Sequence, residues 1–517
     1  MRKYPIGLQN FERLRKDGFL YVDKTGLIYM LTQSGKYYFL SRPRRFGKSL
    51  LMSTIESYFR GQKELFGGLA IEQLETEWAA HPVFHLDLNS QQYDERESLM
   101  DILDNTLCEW EKLYGGSPAE RSLSLRFAGV IQRAAEQTGR NAVILIDEYD
   151  KPMLQALDNP SLQNEFRDIL KAFYGVLKSY DRYIRFALLT GVTKFSKVSI
   201  FSDLNNLQDI SLDARYSTLC GISEEELKRD FAPDIDRLAA ACRLSREATE
   251  QKLKEMYDGY HFATPSPGMY NPFSLLNTFS AMRFGKYWFE TGTPTLLVEM
   301  LMRNHYNLED LPGVVVREES LSGIDTLLTD PIPLFYQSGY LTIKRYDERF
   351  DRYYLDFPNR EVEEGFLNFL RPAYIKPSGF RAPFDIANFV EDVEAGDIDR
   401  FMERLQSFLA DTPYELVREQ ELHYQNVLFI IFKLMGFYTK AEYHTSRGRI
   451  DLTVQTPEYI YVMEFKLEGT AEEALQQIND RQYAAPFAAD PRKLYKVGVN
   501  FSSEQRNIER WIVETDN

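Results

Sequence analysis

Two short stretches of this 517-residue chain carry side chains whose types and spacing suit phosphate chemistry. The first, RPRRFGKSLL (42–51), is a loop closing on Gly47, Lys48 and Ser49. A phosphate-binding loop reads GxxxxGK[ST]: backbone N–H groups wrap the phosphates, the lysine reaches the terminal ones and the hydroxyl holds Mg²⁺. Here Arg42 stands at the first glycine position. Gly-Lys-Ser alone is weak, since chance supplies it in roughly one in a few chains of this length. Its expected complement is a strand ending in an acid that holds Mg²⁺ through water. AVILIDEYD (142–150) supplies that acid as Asp147, with Glu148 beside it to polarise an attacking water.

The second stretch, GRIDLTVQTPEYIYVMEFKLEG (448–469), puts Asp451 on one expected strand and Glu464 and Lys466 on the next. Strand side chains alternate faces, so these three can converge on one polar edge of an otherwise apolar hairpin. Two carboxylates hold the divalent ions that activate water and stabilise a leaving oxygen in phosphodiester cleavage. A lysine two residues after the second acid can stabilise charge on the phosphate. An edge strand carrying solubilising charge is the plainer alternative. Glu421, in the preceding helical stretch, could add a metal ligand, and Gln477, in EEALQQINDRQY, could orient a phosphate or water.

The elements that must hold these residues follow from periodicity. YYFLS (37–41), PVFHLDL (82–88), NAVILIDEYD (141–150) and IRFALLTGVT (184–193) read as buried strands separated by helical segments. That alternation predicts an α/β fold with a mainly parallel sheet covered on both faces. Leu50, Leu51, Ile55, Tyr58 and Phe59 recur at helical spacing after the loop, aiming a helix N-terminus at the phosphates. Arg42 precedes Pro43 and is pushed into an extended conformation, so the strand runs one residue longer and 43–47 make the turn. Arg44 and Arg45 then either touch phosphate, meet a neighbouring copy in a homo-oligomer, or are simply solvated. Thr190 and Thr193, ending the fourth strand, are candidates for sensing the γ-phosphate. No Asn-Lys-x-Asp guanine reader occurs, which leaves ATP as the nucleotide. Arg44, Arg45, Phe46, Gly47, Lys48, Ser49, Leu50, Asp147 and Thr190 form the expected nucleotide-binding set, with Ser49 and Asp147 on the metal.

From residue 222 helical periodicity takes over, opening on SEEELKRDF with Ser223 and Glu226 in capping-box spacing. The stretch 330–357 reads as a hairpin with aromatic strands, and RPAYIKPSGFRAPFD (371–385) as a linker. A helical block to about 436, strands at 448–455 and 459–467 and a helix from about 471 complete the chain. The domains expected are therefore 1–221, 222–370 and 386–517.

Composition limits the options. Sixty-one basic against 77 acidic residues, a net −16, disfavour a protein that coats nucleic acid non-specifically without excluding a local basic groove. Three scattered cysteines without a CxxC give neither a disulfide framework nor a zinc site, and fit a reducing compartment. No apolar stretch resembles a signal peptide, and VLFIIFKLMGF is short and broken by Lys433. These features predict a soluble cytoplasmic protein with no membrane partner.

The chain resembles a bacterial family of AAA-ATPase-like proteins whose C-terminal part is a PD-(D/E)XK nuclease-like domain. The likeness is carried by YVDKT, SRPRRFGKSLL, LIDEYDKP, LTGVTKFS, LNNLQDIS, MYDGYHF, YNPFSLLN, YWFETGTP, YQSGYLTI, FPNREV and GRIDLTV…EFKLEGTAEEALQQI. It implies a P-loop ATPase sheet, a helical middle region and a restriction-endonuclease-like α/β domain. It also implies nucleotide and Mg²⁺ roles for Lys48, Ser49, Asp147 and Glu148. Nuclease roles, with Mg²⁺ or Mn²⁺, fall to Asp451, Glu464 and Lys466, with Gln477 at the helical position. Two functional readings follow: ATP-regulated cleavage of DNA or RNA, or a nucleotide-controlled switch whose nuclease-like domain binds without cutting. The motifs between 222 and 357 suggest buried aromatics rather than a chemistry, and His261 a structural residue.

Overall fold

The apolar runs fold as the continuous burial of parallel strands requires. In the computed structural model, β1 (Tyr37–Ser41), β2 (Val83–Asp87), β3 (Ala142–Asp147), β4 (Ile184–Gly191) and the two-residue β5 (Gln208–Asp209) form one all-parallel sheet. Its order is β2-β3-β4-β1-β5. The interior strands β1 and β3 are buried at every residue, whereas β2, at the sheet edge, buries only Phe84 and Leu86. The register sets Ser41 beside Gly191 and Asp87 beside Asp147, so chemistry-bearing residues gather at the carboxyl ends of the strands, where α/β sheets bind ligands. The structure describes residues 2–194, 206–289, 295–322, 330–374, 386–410, 420–446, 449–466, 469–502 and 507–516.

The chain divides into two compact units, Met1–Gly292 with Gly313–Val362, and Thr293–Pro312 with Glu363–Asn517. In the first, the capping box forms: Ser223 Oγ accepts from Glu226 N at 3.2 Å and Glu226 Oε2 from Ser223 N at 2.8 Å. Helices Glu224–Asp230, Ala232–Cys242, Arg246–Tyr257 and Pro272–Ala281 enclose a core of Phe231, Leu238, Tyr257 and Phe279. The short pair β6 (Ile222–Ser223) and β7 (Met269–Tyr270) joins them, and β8 (Val314–Val316), β9 (Thr342–Asp347) and β10 (Arg352–Asp356) make an antiparallel sheet. The hairpin expected over 330–357 is confined to 342–356. Its first part is instead the helix Ile332–Ser338, which has proline in its first turn and is stopped by Gly339 at φ +91°. A short apolar run with no alternation does not distinguish the two.

The second unit is built on β11 (Lys440–Ser446), β12 (Arg449–Gln455), β13 (Tyr459–Lys466), β14 (Lys493–Ser502) and β15 (Asn507–Asp516), in that spatial order. All pairs are antiparallel except β13–β14, which the helix Ala471–Asp480 connects. Residues from the 293–312 segment belong here: Asn426 accepts from Leu308 N at 2.9 Å and donates to Tyr306 O at 3.0 Å. Of the expected linker, 371–374 end the helix Arg360–Tyr374 and 375–385 lie outside the described residues. Among the described residues no helix is long and apolar enough to cross a membrane.

Candidate functional site

The phosphate-type loop grows directly out of β1. Arg42 N donates to Gly191 O at 3.1 Å, so the β1–β4 ladder runs one residue past Ser41. The Arg42 side chain turns into the protein, 1% exposed, and donates to the carbonyls of Ser41 (2.8 Å), Ser211 (2.9 Å) and Tyr216 (3.2 Å). Its guanidinium lies 4.2 Å from the centre of the Phe262 ring. Arg42 is therefore a structural arginine at a position where other loops have glycine. Arg44 is exposed. Arg45, with φ +68°, rests its guanidinium over Phe273 at 4.9 Å. Phe46 is buried edge-on against Tyr260 and Phe262, so only its backbone faces the loop.

Gly47 opens the helix Lys48–Phe59 at φ +91° with nothing within 4 Å of where a Cβ would stand, so conformation rather than crowding calls for glycine there. Lys48 curls back over the loop. Its Nζ donates to Arg42 O at 3.1 Å and Pro43 O at 3.3 Å, and lies 3.4 Å from Glu148 Oε1. The loop is thus closed by its own lysine, and that lysine meets the acid after β3. Ser49 and Leu50 are half-buried in the first helical turn.

Asp147 Oδ1 accepts from Thr190 Oγ1 at 2.5 Å and from Glu148 N at 3.1 Å, and Glu148 sits at φ +54° where the chain turns. Lys48, Asp147, Glu148 and Thr190 are brought together. Thr193 is not: its hydroxyl donates to Asp150 Oδ2 at 2.5 Å, and its N–H donates to the same oxygen at 2.6 Å. Asp150 was not singled out from sequence, yet it is wholly enclosed. Burial, then the Glu148 charge, push its carboxyl up to about 6. Asp87 was also missed, although it ends its strand as Asp147 does. Asp87 keeps an exposed surface at the end of β2, yet partial loss of water around its carboxyl, with the Asp147 and Glu148 charges adding, holds it above the usual carboxylate range. Behind it His85 Nδ1 lies 2.8 Å from Glu56 Oε2. Among the described residues no three His, Cys, Asp or Glu side chains group to hold a metal by themselves. The all-oxygen donors and surplus negative charge instead suit Mg²⁺, which takes one or two carboxylates and completes its shell with phosphate and water. Beside Gly47, an apolar cavity of about 100 Å³ is walled by Leu20, Val22, Leu50, Leu51, Pro272 and Leu276.

In the second unit the register places Asp451 opposite Glu464 and Arg449 opposite Lys466, so the three predicted positions fall on one face of adjacent strands. That face is not the polar edge expected. β13 is the central strand and is buried from Ile460 to Phe465. The same face carries Ile460 and Val462 under Ile478 of the helix Ala471–Asp480. Gly498, beside Glu464 on β14, permits the closeness: a Cβ there would stand 2.2 Å from Ala471 O. Glu464 is fully buried, while Lys466 at the strand end and Gln477 on the covering helix are half-buried. The helix carrying Glu421 packs through Phe432 against Phe465, on the other face. The side chains of Glu421 and Asp451 lie outside the described residues.

Residues 5–201 match the family model described as predicted AAA-ATPase, and residues 419–511 match that of the PD-(D/E)XK nuclease superfamily. A protein of Azotobacter chroococcum mcd 1, described as an uncharacterized protein in the vnfD 5' region, is 36% identical over 525 residues, covering 99% of each chain. An α/β parallel-sheet unit with a lysine-closed loop, and a mixed five-stranded sheet with paired acidic positions, agree with both matches. The chain belongs to the family of AAA-ATPase-like proteins that carry a C-terminal PD-(D/E)XK nuclease-superfamily domain.

Proposed function

We propose that the first unit binds and hydrolyses ATP and that the second cleaves a nucleic-acid phosphodiester under the control of that nucleotide. The observation that carries the first half is Lys48, which closes its own loop and lies 3.4 Å from Glu148. Lys48 reaches the terminal phosphates, Glu148 takes the proton of the attacking water, and Thr190 fixes Asp147. Arg44, exposed beside the loop, serves either the phosphates or a neighbouring copy. The second half rests on the register of Asp451 with Glu464 and on Lys466 two residues on. There Lys466 stabilises charge building on the scissile phosphate, and Gln477 orients water or phosphate. Mg²⁺, or Mn²⁺ in the second unit, supplies charge neutralisation and lowers the pKa of bound water. Ser49 and Asp147 would hold it in the first unit, and Asp451 and Glu464 in the second, with Glu421 as a further ligand.

ATP hydrolysis and cleavage of plasmid and single-stranded substrates, measured side by side, test this. Lys48→Ala and Glu148→Gln are expected to lose hydrolysis by about 10²-fold or more, and Asp451→Ala to lose cleavage on a similar scale. Wild-type rates in these variants would end the proposal. The complete enclosure of Glu464 favours a second reading, a nucleotide switch whose nuclease-like unit binds without cutting. That reading requires ATP to alter proteolytic protection or oligomeric state while wild type and Asp451→Ala are equally inert.

A further inference from the structure

Three stretches without an assigned chemistry meet around the nucleotide loops: YDGYHF, the YWF that opens YWFETGTP (287–289), and YQSGYLTI. Tyr260 and Phe262 close over Phe46 with ring centres 4.7 and 5.2 Å away. Trp288 donates its indole N–H to Arg44 O at 3.3 Å. Gly339 stands so close to the loop that a Cβ would lie 2.6 Å from Pro43 Cβ. Two residues before it, Gln337 is 3% exposed and uses both ends of its amide. Its Oε1 accepts from Lys194 N at 2.7 Å and its Nε2 donates to Leu321 O at 2.5 Å.

A buried amide is costly unless both ends are bonded, and here both bonds go to backbone groups that regular structure leaves over. Lys194 lies just past β4, and Leu321 is in the last turn of the helix Glu318–Ser322, whose carbonyls lack helical partners. The Lys194 end bears on the chemistry. Lys194 follows Thr193, which Asp150 holds by two hydrogen bonds, and Asp150 also accepts from Val192 N at 3.1 Å. Thr190, four residues before Lys194, sets Asp147, and Tyr149 N returns to Thr190 O at 3.0 Å. The end of β4 is therefore tied to the acidic turn along its whole length, and at its far end the Lys194 N–H is held by Gln337 while the Lys194 ammonium pairs with Asp209 at 3.0 Å.

We propose that Gln337 is a positioning residue for the ATP site: by holding Lys194 N–H it fixes the end of β4, and so the depth at which the Thr190 hydroxyl meets Asp147. This rests on the ATPase reading above. Gln337 touches no reacting atom, so its loss affects turnover rather than nucleotide capture. The 260–342 motifs then gain a common task, bracing both loops that face the phosphates.

The test compares Gln337→Leu, which loses both bonds, with Gln337→Glu, which keeps the acceptor for Lys194. Full-length protein is assayed for ATP turnover, and backbone hydrogen exchange is followed without nucleotide. Expected are a fall in kcat of about tenfold or more in Gln337→Leu with KM within about threefold, faster exchange confined to 190–194, and recovery of most of kcat in Gln337→Glu. An unchanged kcat in Gln337→Leu overturns the inference. Equal loss in both variants, or a general rise in exchange with KM and kcat failing together, also overturns it by reducing the residue to scaffold. A wild type that neither binds nor hydrolyses ATP removes the proposed function and this inference together. A hydrolysing wild type with an indifferent Gln337→Leu removes the inference alone.

Discussion

Arg42 serves the loop in two separate ways. Its carbonyl receives Lys48 from the loop side, while its guanidinium supplies donors to three buried carbonyls and stacks on Phe262. Removing the side chain strands those acceptors, at about 1–3 kcal/mol for each that finds no water. Arg42→Gly, which restores the commoner loop residue, is therefore expected to lower unfolding free energy by about 2–5 kcal/mol without tightening ATP. Denaturant unfolding and nucleotide titration would check this, and tighter binding at unchanged stability would contradict it. The Gly47-Lys48-Ser49 run and the apolar strand closing on Asp147 and Glu148 made this part of the candidate site legible, because each is a short contiguous pattern set at a strand end and the two occur in order. The burial of Arg42, and the parts played by Asp150, Asp87 and Gln337, depend on neighbours far away in sequence, and no local pattern marks them.

Among elements, strands buried on both faces announced themselves as continuous apolar runs, and the Ser223–Glu226 cap as a three-residue spacing. What escaped was whatever lacked such a signature: β5 with two residues, β8 with three, the edge strands β11 and β15, the interior strand β14, and the helix Ile332–Ser338. The polar edge expected at Glu464 failed for a related reason. Alternation in a hairpin says which residues share a face, not whether a helix will cover it. Two left-handed glycines separate strain from crowding. Gly47→Ala meets open space and should cost about 1 kcal/mol for its positive φ alone. Gly339→Ala adds a clash with Pro43 and should cost clearly more, with the loss visible in thermal unfolding. Equal melting temperatures for the two variants would show that the loop yields at no expense.

At the scale of the whole molecule the chain crosses between units more than once. The boundaries read from sequence at 221 and 370 fall within the first and second units respectively, because a composition change marks a new texture and not a new core. Residues 293–312 belong with 363–517 through Asn426, which is 2% exposed and bonded to both Tyr306 and Leu308. Asn426→Leu should raise hydrogen exchange across 306–308 and 420–435 while leaving strands β1–β4 as protected as in wild type. Loss of protection in β1–β4 would mean that the two cores do not unfold separately.

That interleaving has a consequence for how the protein is made. Domains generally form as units while the chain emerges from the ribosome. The first core here cannot be completed at residue 292, because it awaits the returning segment 313–362, and with it Gln337. Meanwhile 293–312 leaves the ribosome long before the helix Gln420–Met435 that will receive it. For the time needed to translate more than a hundred codons, its buried Leu308, whose N–H is taken by Asn426 of that helix, has no finished home. A nascent chain stalled in that interval is the form of this protein most in need of a chaperone.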